Sequence, residues 1–338
     1  MKAIEVTKPG QIVIVERPIP EIKENEVLVK VKAAGICGSD VHIYHGKNAF
    51  ATYPRIVGHE FVGEIEKVGS LVQNIKVGDR VAIDPVVSCG HCHPCRIGRH
   101  NVCKTLNVLG VHRDGGYQEY VAVAATSAHK LPENISWEVA AMIEPYTIAA
   151  QVIDRGRLTA ADTVLICGAG PIGLVILQAV KMVGARVAIM DVIETRLNWG
   201  KEMGADLVIN AKTSDMTKEM MAFTNNEGAS LILEATGNVN VLETCIHSIA
   251  SPAGRVVVLG FSTELVKIPQ VDIMSRELEI IGTRLNNNKF PQVIEWFAKG
   301  LVQPEKILTH TFTLEEAQKA FDLNDKNPEN VCKIVLTF

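Results

Sequence analysis

Four cysteines lie close together in the segment SCGHCHPCRIGRHNVC, at Cys89, Cys92, Cys95 and Cys103. Four thiolates suit a tetrahedral Zn²⁺, and an all-cysteine site has no position for water, so it would stabilise a loop without doing chemistry. The same C-x2-C-x2-C spacing also begins ferredoxin-type iron–sulfur runs, and a nucleic-acid-binding zinc knuckle is a third option. The spacing therefore predicts a structural metal, with the kind of metal left open.

A second set of metal-binding residue types is dispersed along the chain. It comprises Cys37, Ser39 and His42 in GICGSDVHIY, His59 and Glu60 in VGHEFVGEI, and Glu144 in AAMIEPYTIA. A cysteine, a histidine and a carboxylate would hold Zn²⁺ with one open position, as catalysis requires. Such a zinc favours the alkoxide form of a bound alcohol, which can donate hydride to a nicotinamide. Taken singly, Cys37 and His59 would more often be ordinary core or surface residues.

The same segments suggest how a proton would leave this second site. Ser39 offers a hydroxyl and His42 an imidazole, and we expect the two to relay the proton to solvent. Asp40 is predicted to orient the ligand histidine from behind.

A glycine-rich motif, VLICGAGPIG, indicates a dinucleotide site because it follows a predicted strand and opens a predicted helix. The residues expected to meet the pyrophosphate are Gly168, Gly170, Pro171, Ile172 and Gly173. The glycines allow a tight turn, close approach of the phosphates and close helix–strand packing. Asp191 ends the next predicted strand, where an acid binds the ribose 2′-hydroxyl and favours NAD over NADP. Arg196 follows five residues later, which predicts some tolerance of NADP.

The elements that must position these residues fall into two patterns. Short β-branched runs separated by turn residues occupy roughly the first 150 residues, whereas strands and helices alternate from Thr163 onwards. Alternation predicts a doubly wound parallel sheet. We therefore predict an α/β protein with a mostly-β catalytic domain at 1–148, completed by 286–338, around an inserted nucleotide-binding domain at 149–285.

Composition narrows the classes of partner. The net charge is −4, which opposes duplex nucleic-acid binding, because that affinity comes from neutralising phosphates. The N-terminal run MKAIEVTKPG has no signal-peptide pattern, so a cytoplasmic protein with reduced thiols is expected. The uncharged segment 164–180 is better explained as a strand, a turn and a buried helix than as a membrane span.

Several of these motifs together resemble the zinc-containing medium-chain dehydrogenase/reductases of the alcohol dehydrogenase superfamily. They are GICGSDVH, GHEFVGEIEKVG, the four-cysteine segment and GAGPIGL, in family order along essentially the whole chain. DPVVSCGHC, LGVHRDGGYQEY, EPYTIAA and ILTHTF are most similar to RspB-type zinc dehydrogenases and the related L-galactonate dehydrogenase. Within the family the chain resembles sorbitol, L-threonine and sugar-acid dehydrogenases more than simple alcohol dehydrogenases. The resemblance implies a GroES-like catalytic domain and a Rossmann domain, with the substrate in the cleft between them.

The resemblance also implies cofactors and further site residues. It places a structural zinc on the four cysteines and a catalytic zinc on Cys37 and His59, with Glu60, Glu144 or both. Residues expected to contact NAD are Thr236, Leu259, Gly260, Phe261, Thr283, Arg284 and Leu285. Residues expected to line the substrate pocket are Tyr44, Phe50, His112, Tyr117 and Arg284. Arg284 would either bind a substrate carboxylate in a bidentate manner or form a salt bridge between the domains.

These inferences lead to one functional hypothesis and two alternatives. The leading hypothesis is a zinc-dependent oxidation of a secondary hydroxyl on a polyol or sugar acid, with hydride transfer to NAD. An L-threonine-type amino-alcohol dehydrogenase is the alternative within enzymes. A non-catalytic NAD-binding sensor or regulator is the alternative from another class. The expected partners are a small hydroxylated substrate and a second or further copies of the chain, as a homodimer or homotetramer, with no nucleic acid and no membrane.

Overall fold

The computed structural model describes all residues from 1 to 338. Strands predominate in roughly the first 130 residues. The strands are β1 (Lys2–Lys8), β2 (Gln11–Glu16), β3 (Glu26–Ile36), β4 (Arg55–Ile56), β5 (Glu60–Val68), β6 (Arg80–Ile83), β7 (Val86–Val87), β8 (Asn107–Val108), β9 (Tyr120–Ala124), β10 (Ala128–Lys130), β11 (Thr163–Cys167), β12 (Arg186–Asp191), β13 (Leu207–Asn210), β14 (Ala229–Glu234), β15 (Ala250–Val258), β16 (Glu279–Gly282), β17 (Leu308–Thr313) and β18 (Lys333–Thr337). The α-helices are α1 (Gly38–Tyr44), α2 (His93–Arg96), α3 (Trp137–Ala140), α4 (Ile143–Arg155), α5 (Pro171–Val183), α6 (Glu194–Glu202), α7 (Met216–Phe223), α8 (Val239–Thr244), α9 (Gln270–Met274), α10 (Phe290–Ala298) and α11 (Ala317–Lys326).

The chain divides into two units. The first unit comprises Met1–Thr147 with Asn286–Phe338, and the second comprises Ile148–Leu285. Each unit has its own sheet and its own buried apolar cluster. The second unit is therefore an insertion into the sequence of the first.

A seven-stranded sheet forms the centre of the first unit. Its order is β10-β6-β5-β3-β18-β17, with β9 also paired to β3, and every pair is antiparallel except β17 with β18. Strand β3 is rich in β-branched residues, which suit a pleated and buried surface. Near its end, Gly35 lies opposite Glu60 of β5 and Val335 of β18. The ends of three neighbouring strands therefore meet at one place.

A six-stranded parallel sheet forms the second unit, in the order β13-β12-β11-β14-β15-β16. Numbered within the unit, this is the order 3-2-1-4-5-6 of the Rossmann fold. Its inner strands are almost continuously buried, as expected when helices cover both faces of a parallel sheet. The predicted α/β, doubly wound architecture is confirmed.

The strand order also determines where the second unit would bind a ligand. Chain order reverses between β11 and β14, and in open parallel sheets ligands bind outside the carboxyl ends of the strands at that point. Gly168, Asp191 and Glu234 all lie at those carboxyl ends. The uncharged segment that begins at Val164 forms the rest of β11, a turn and most of α5, and none of the helices in the chain combines the length and apolar character needed to span a bilayer.

Candidate active site

The first cluster of donor atoms lies where β3 and β5 pair. Cys37 is the N-cap of α1, directly after β3, and His59 and Glu60 stand at the start of β5. The antiparallel pairing of Gly35 with Glu60 brings these positions together. One ligand atom from each of Cys37, His59 and Glu60 lies within 4.8 Å of the other two. A thiolate, an imidazole and a carboxylate at this spacing are a suitable donor set for Zn²⁺.

The carboxylate of Asp40 orients this cluster from behind. Its Oδ2 accepts hydrogen bonds from the backbone N–H of Cys37 (2.9 Å) and from the hydroxyl of Tyr117 (3.2 Å). Its Oδ1 accepts one from the N–H of Gly58 (3.2 Å) and lies 3.4 Å from Nδ1 of His59. A carboxylate at one imidazole nitrogen fixes the ring and leaves the other nitrogen, Nε2, for a metal.

Electrostatics around His59 favour a cation at this place. Burial disfavours the charged imidazolium, but the nearby Asp40 and Cys37 outweigh burial and raise the pKa of His59 well above its ordinary value. Burial likewise opposes the ionised form of Asp40, yet its interaction with His59 and the two backbone N–H groups holds the pKa of that carboxyl below its usual range. An anionic pocket of this kind suits a metal ion as well as a proton.

Glu60 presents two carboxylate oxygens with different surroundings. Its side chain is 1% exposed, and neither of its buried oxygens has a hydrogen-bond partner. Oε2 forms an ion pair with the ammonium group of Lys333, which is also buried. A buried carboxylate oxygen without a partner is costly unless something pairs with it. The Cys37, His59 and Glu60 cluster therefore fits the zinc ion that the sequence predicts.

Glu144 stands beside this cluster without joining it. It lies in the first turn of α4 and is buried, but it is not among the residues whose ligand atoms fall within 4.8 Å of one another. Burial raises the pKa of its carboxyl to about 8; the charge of His59 works against this rise, and that of Glu60 adds to it. Of the two glutamates that the sequence offers as ligands, the structure groups Glu60 with Cys37 and His59.

The predicted proton relay lies on helix α1. Ser39 is half-buried and His42 is exposed. Three residues apart on a helix, their side chains lie on the same face. The two residues therefore lead from the buried donor cluster towards solvent, and their relay role stays a prediction.

Two of the predicted pocket residues are buried in the core. Tyr117 has no exposed surface, and its hydroxyl donates to the carbonyl of Gly35 (2.9 Å) as well as to Asp40, so it supports the cluster from within the core. Tyr44 is buried, and its ring packs edge-on against that of Phe321. Both rings face inwards because the apolar core takes up their surface.

The remaining predicted pocket residues have surfaces that a substrate could reach. Phe50 is exposed, and its ring centroid lies 5.8 Å from that of His112. Arg284 is exposed just after the end of β16. Their contact with substrate stays a prediction.

The four cysteines of the first motif converge as the spacing predicts. Their Sγ atoms lie within 4.8 Å of one another, with Cys92 at 3.5 Å from Cys95 and 3.8 Å from Cys103. Thiolates about 2.3 Å from a tetrahedral zinc ion would be about 3.8 Å apart. The backbone N–H of Cys89 donates to Sγ of Cys103 (3.3 Å) and, despite burial, lowers the pKa of that thiol to about 6. This lobe therefore fits a closed, structural metal site.

The glycine motif of the second unit has the geometry of a phosphate-binding turn. Gly168 has φ +101°, a conformation that favours glycine. A Cβ atom on Gly173 would come 1.8 Å from the carbonyl oxygen of Gly168, so helix α5 packs against the turn only because residue 173 is glycine. A Cβ atom on Gly170 would meet nothing within 4 Å, which leaves space for a ligand. Pro171 and Ile172 form the first turn of α5, whose backbone N–H groups favour an anion.

Asp191 holds the same turn in place. Its Oδ2 accepts from the N–H of Ala169 (2.7 Å), and its Oδ1 accepts from the N–H groups of Val192 (2.7 Å) and Ile193 (3.0 Å). The acid thus lies at the end of β12 beside the glycine turn, where a ribose would lie. Arg196 is half-buried in helix α6.

The other residues predicted to contact the nicotinamide lie near the carboxyl ends of the central strands. Thr236 follows β14 next to Gly168, and its N–H donates to Oε1 of Glu234 (2.7 Å). The hydroxyl of Thr283 is buried without a hydrogen-bond partner, and its contact with the nicotinamide stays a prediction. Leu259 and Gly260 are half-buried after β15, Phe261 is 80% exposed, and Arg284 and Leu285 follow β16.

Sequence reasoning missed two buried charges at these sites. Glu234 is 1% exposed, and its carboxylate also accepts from the N–H of Gly237 (3.0 Å), so it shapes the turn after β14. Lys333 is 4% exposed and pairs with Glu60. Its signal in the sequence is a single charge within the apolar final strand, CKIVLTF.

Comparison with known proteins agrees with this geometry. Residues 23–133 match the alcohol dehydrogenase GroES-like domain, and residues 171–299 match the zinc-binding dehydrogenase family. The chain is 50% identical to the starvation-sensing protein RspB of Escherichia coli K12 over 100% of this chain and 99% of that protein. It is 35% identical to the sorbitol dehydrogenase of Bacillus subtilis, covering 95% of this chain and 93% of the relative.

A solved structure is similar over the whole chain. It is the short chain alcohol dehydrogenase RspB of E. coli CFT073 complexed with NADH, with a TM-score of 0.95 and 48% identity over 100% of this chain and 99% of that one.

The chain belongs to the zinc-binding alcohol dehydrogenases of the medium-chain dehydrogenase/reductase superfamily. It is an oxidoreductase that acts on CH–OH groups, and zinc and a nicotinamide dinucleotide are the cofactors of this class. The first unit is the GroES-like domain and the second is the Rossmann domain.

Proposed function

We propose that this enzyme oxidises a secondary hydroxyl of a polyol or a sugar acid, with Cys37, His59 and Glu60 as the ligands of a catalytic zinc ion. The observation that carries the proposal is the convergence of these three donor atoms within 4.8 Å, backed by Asp40. When bound, the zinc ion supplies Lewis acidity to the substrate hydroxyl, and NAD⁺ accepts the hydride. A fourth position open to substrate is what a three-ligand site provides.

The chain's own residues account for the rest of the reaction. Asp40 lies 3.4 Å from Nδ1 of His59, and its negative charge there favours one orientation of the imidazole. Ser39 accepts the proton of the substrate hydroxyl, and His42 passes it to solvent along the same face of α1. The turn from Gly168 to Gly173 binds the pyrophosphate of NAD, and Asp191 binds its ribose and disfavours NADP.

The second zinc ion of the proposal is structural. Cys89, Cys92, Cys95 and Cys103 would surround it completely and leave no position for substrate. Its role is to fold the lobe at 88–103, which has only short helical segments of its own. We therefore expect two zinc ions per chain, with only one of them needed for the chemical step.

The substrate class is inferred from a relative and from surface chemistry. The sorbitol dehydrogenase of B. subtilis, by its name, acts on a polyol. Arg284 is exposed next to the predicted nicotinamide-binding residues, and a guanidinium there would bind a carboxylate or several hydroxyl groups. These features favour a small molecule with several hydroxyl groups or a carboxylate over a simple alcohol.

We also propose that the enzyme works as a homo-oligomer in the reducing environment of the cytoplasm. Strand β16 is the edge of the parallel sheet, and the second unit exposes several large apolar side chains around it and in the preceding segment. They are Phe261, Leu265, Val271, Met274 and Ile280. An open strand edge beside exposed apolar surface suits pairing with a second copy. The proposed zinc ligands include five cysteines, which bind metal only while they are reduced, and the cytoplasm keeps thiols reduced.

The first experiment is a substrate panel. Zinc-loaded enzyme would be mixed with NAD⁺ and with polyols, aldonic acids, uronic acids or L-threonine. NADH formation would be followed by its near-ultraviolet absorption. Cys37→Ser would serve as the blank. A strong signal on one polyol or sugar acid that disappears in Cys37→Ser supports the proposal. A preference for L-threonine, or turnover that persists in Cys37→Ser, contradicts it, and NADH binding without turnover on any substrate favours a sensor.

A further inference from the structure

Lys333 is a buried cation beside the proposed zinc site. It begins strand β18, and its side chain is 5% exposed. Its ammonium group contacts Oε2 of Glu60, whose side chain is 1% exposed. Removing both charges from water costs several kcal/mol per ion, a cost that only a close ionic partner offsets. Because burial of the Lys333–Glu60 ion pair is costly and the pair adjoins the proposed zinc site, it points to a role for Lys333 in that site.

The local backbone is shaped to admit this pair. Gly35 lies between Glu60 and Val335 in the sheet. A Cβ atom on Gly35 would come 2.1 Å from Oε2 of Glu60 and 3.1 Å from Cε of Lys333. The lysine and the glutamate can therefore meet only because residue 35 has no side chain.

The two oxygens of Glu60 differ because of Lys333. Oε2 forms the ion pair with the ammonium group, whereas neither of the two buried oxygens has a hydrogen-bond partner. Carboxylates bind metals through one oxygen or through two. With Oε2 held by Lys333, Oε1 is the oxygen available to a metal at Cys37 and His59.

We propose that Lys333 is a positioning residue that restricts Glu60 to one-oxygen binding and thereby keeps a coordination position open for the substrate. The inference rests on the proposed zinc site. Lys333 competes with the metal for Oε2, and its positive charge also opposes that of the metal. Loss of this charge should therefore tighten metal binding and crowd the metal, while turnover falls. A residue with a merely structural role would have the opposite effect on metal affinity, because its loss would loosen the ligands.

The test compares Lys333→Met with Lys333→Arg, which keeps the charge. Zn²⁺ affinity would be measured by competition with a chromophoric chelator, and the coordination number from the visible absorption of Co²⁺-substituted protein. The spectrum of Cys37→Ser, which retains only the four-cysteine lobe, would be subtracted from each. We expect Lys333→Met to bind Zn²⁺ at least about tenfold more tightly and to show the weaker Co²⁺ bands of a higher coordination number. Lys333→Arg should resemble the wild type in both measurements.

Glu60→Gln provides the matched control. The amide that this substitution introduces would not offer two anionic oxygens to a metal. Adding Lys333→Met to Glu60→Gln should therefore leave the Co²⁺ spectrum unchanged. The double variant should also bind Zn²⁺ little more tightly than Glu60→Gln alone. Weaker metal binding in Lys333→Met, or an unchanged Co²⁺ spectrum, would overturn the role of Lys333. If Lys333→Met does not fold, Lys333→Gln answers the same question, because it removes the charge but retains a hydrogen-bond donor.

The same experiment distinguishes an error in the proposed zinc site from an error in the role of Lys333. If the wild-type protein shows no Cys37-dependent Co²⁺ absorption, the proposed zinc ligands are wrong and the role of Lys333 fails with them. If that absorption is present and Lys333→Met leaves it unchanged, only the inference about Lys333 fails.

Discussion

Nδ1 of His59 lies 3.4 Å from Oδ1 of Asp40, and Asp40 has no exposed surface. The same carboxylate accepts a hydrogen bond from the backbone N–H of Cys37. Asp40 therefore contacts the backbone of one proposed zinc ligand and the side chain of another. The relative placement of the thiol and the imidazole therefore depends on one buried acid. A metal site organised in this way is sensitive to groups that do not bind the metal themselves.

Asp40→Asn tests this dependence. The amide cannot accept from the N–H of Gly58, the N–H of Cys37 and the imidazole as a carboxylate does. We expect zinc affinity at the Cys37 site to fall roughly 10–100-fold, as measured by chelator competition. Asp322→Asn, which removes an exposed carboxylate from α11, should leave zinc affinity unchanged. Equal zinc affinity in Asp40→Asn and the wild type would show that His59 does not need its partner.

Cys37→Ser and Cys95→Ser should separate the two metal sites. Cys37→Ser removes a donor from the open cluster, so we expect loss of turnover with nearly unchanged thermal unfolding. Cys95→Ser removes a ligand from the closed lobe, so we expect a lower unfolding temperature. Metal analysis of each purified variant should find one zinc ion fewer than in the wild type. A Cys95→Ser variant with full stability and no activity would contradict the division.

Gly170→Ala and Gly173→Ala should separate cofactor binding from folding. An added Cβ on Gly170 meets nothing within 4 Å in the protein itself, so this variant should fold normally. It should bind NADH more weakly, because the methyl group occupies the space expected for the pyrophosphate. On Gly173 the Cβ would come 1.8 Å from a carbonyl oxygen, so that variant should lose stability. Calorimetric NADH titration and thermal melts would measure both effects, and unaltered NADH affinity in Gly170→Ala would place the pyrophosphate elsewhere.

Asp191→Asn should change coenzyme preference. An amide can satisfy only some of the N–H groups of Ala169, Val192 and Ile193, and it no longer repels a 2′-phosphate. We expect weaker NADH binding and a smaller ratio of NADH to NADPH affinity. Asp215→Asn is the control, because Asp215 caps helix α7 and asparagine caps a helix about as well. An unchanged ratio would remove Asp191 from the ribose site.

Asp162→Asn should reveal a pH-dependent contribution to the stability of the Rossmann domain. Burial opposes ionisation of Asp162, but hydrogen bonds from Ser230 and Thr159 and the charge of Arg255 hold the pKa of its carboxyl below the usual value. Because the folded pKa is depressed, the stabilisation is complete above the unfolded pKa of about 3.9 and is lost as the pH falls through the folded value.

Denaturant unfolding at several pH values would check this expectation. At pH 7 we expect Asp162→Asn to lower the free energy of unfolding by roughly 2–4 kcal/mol. The difference from the wild type should shrink as the pH falls below about 4. A difference that stays constant as the pH falls well below about 4 would mean that the charge of Asp162 contributes nothing.

Much of the fold was readable from the sequence because its signals are local. Alternating strands and helices after Thr163 and the G-x-G-x-x-G spacing predict the parallel sheet, and its observed strand order confirms it. The four-cysteine metal site could also be predicted from the sequence, because all four cysteines lie within fifteen residues. Signals of this kind need no knowledge of which distant strands pair.

The supporting residues of the candidate site could not be predicted in the same way. Tyr117 looks like a pocket aromatic in sequence, but its ring packs onto Gly58 and is buried beside Asp40. Lys333 meets Glu60 only because β3 pairs with both β5 and β18 in a particular register. A shift of one residue in either pairing would turn alternate side chains to the opposite face. Sheet register is a property of the folded chain, which sequence spacing does not reveal.

The insertion of the Rossmann domain has a consequence for the order of assembly. Cys37, His59 and Glu60 lie within one short stretch of chain, whereas about 270 residues separate Glu60 from Lys333. Contacts between distant segments form slowly, because a long loop must close before they contribute stability. We therefore expect the three donors to come together before strand β18 arrives. During that interval an available metal ion could bind both oxygens of Glu60, and the docking of β18 would then set the final coordination.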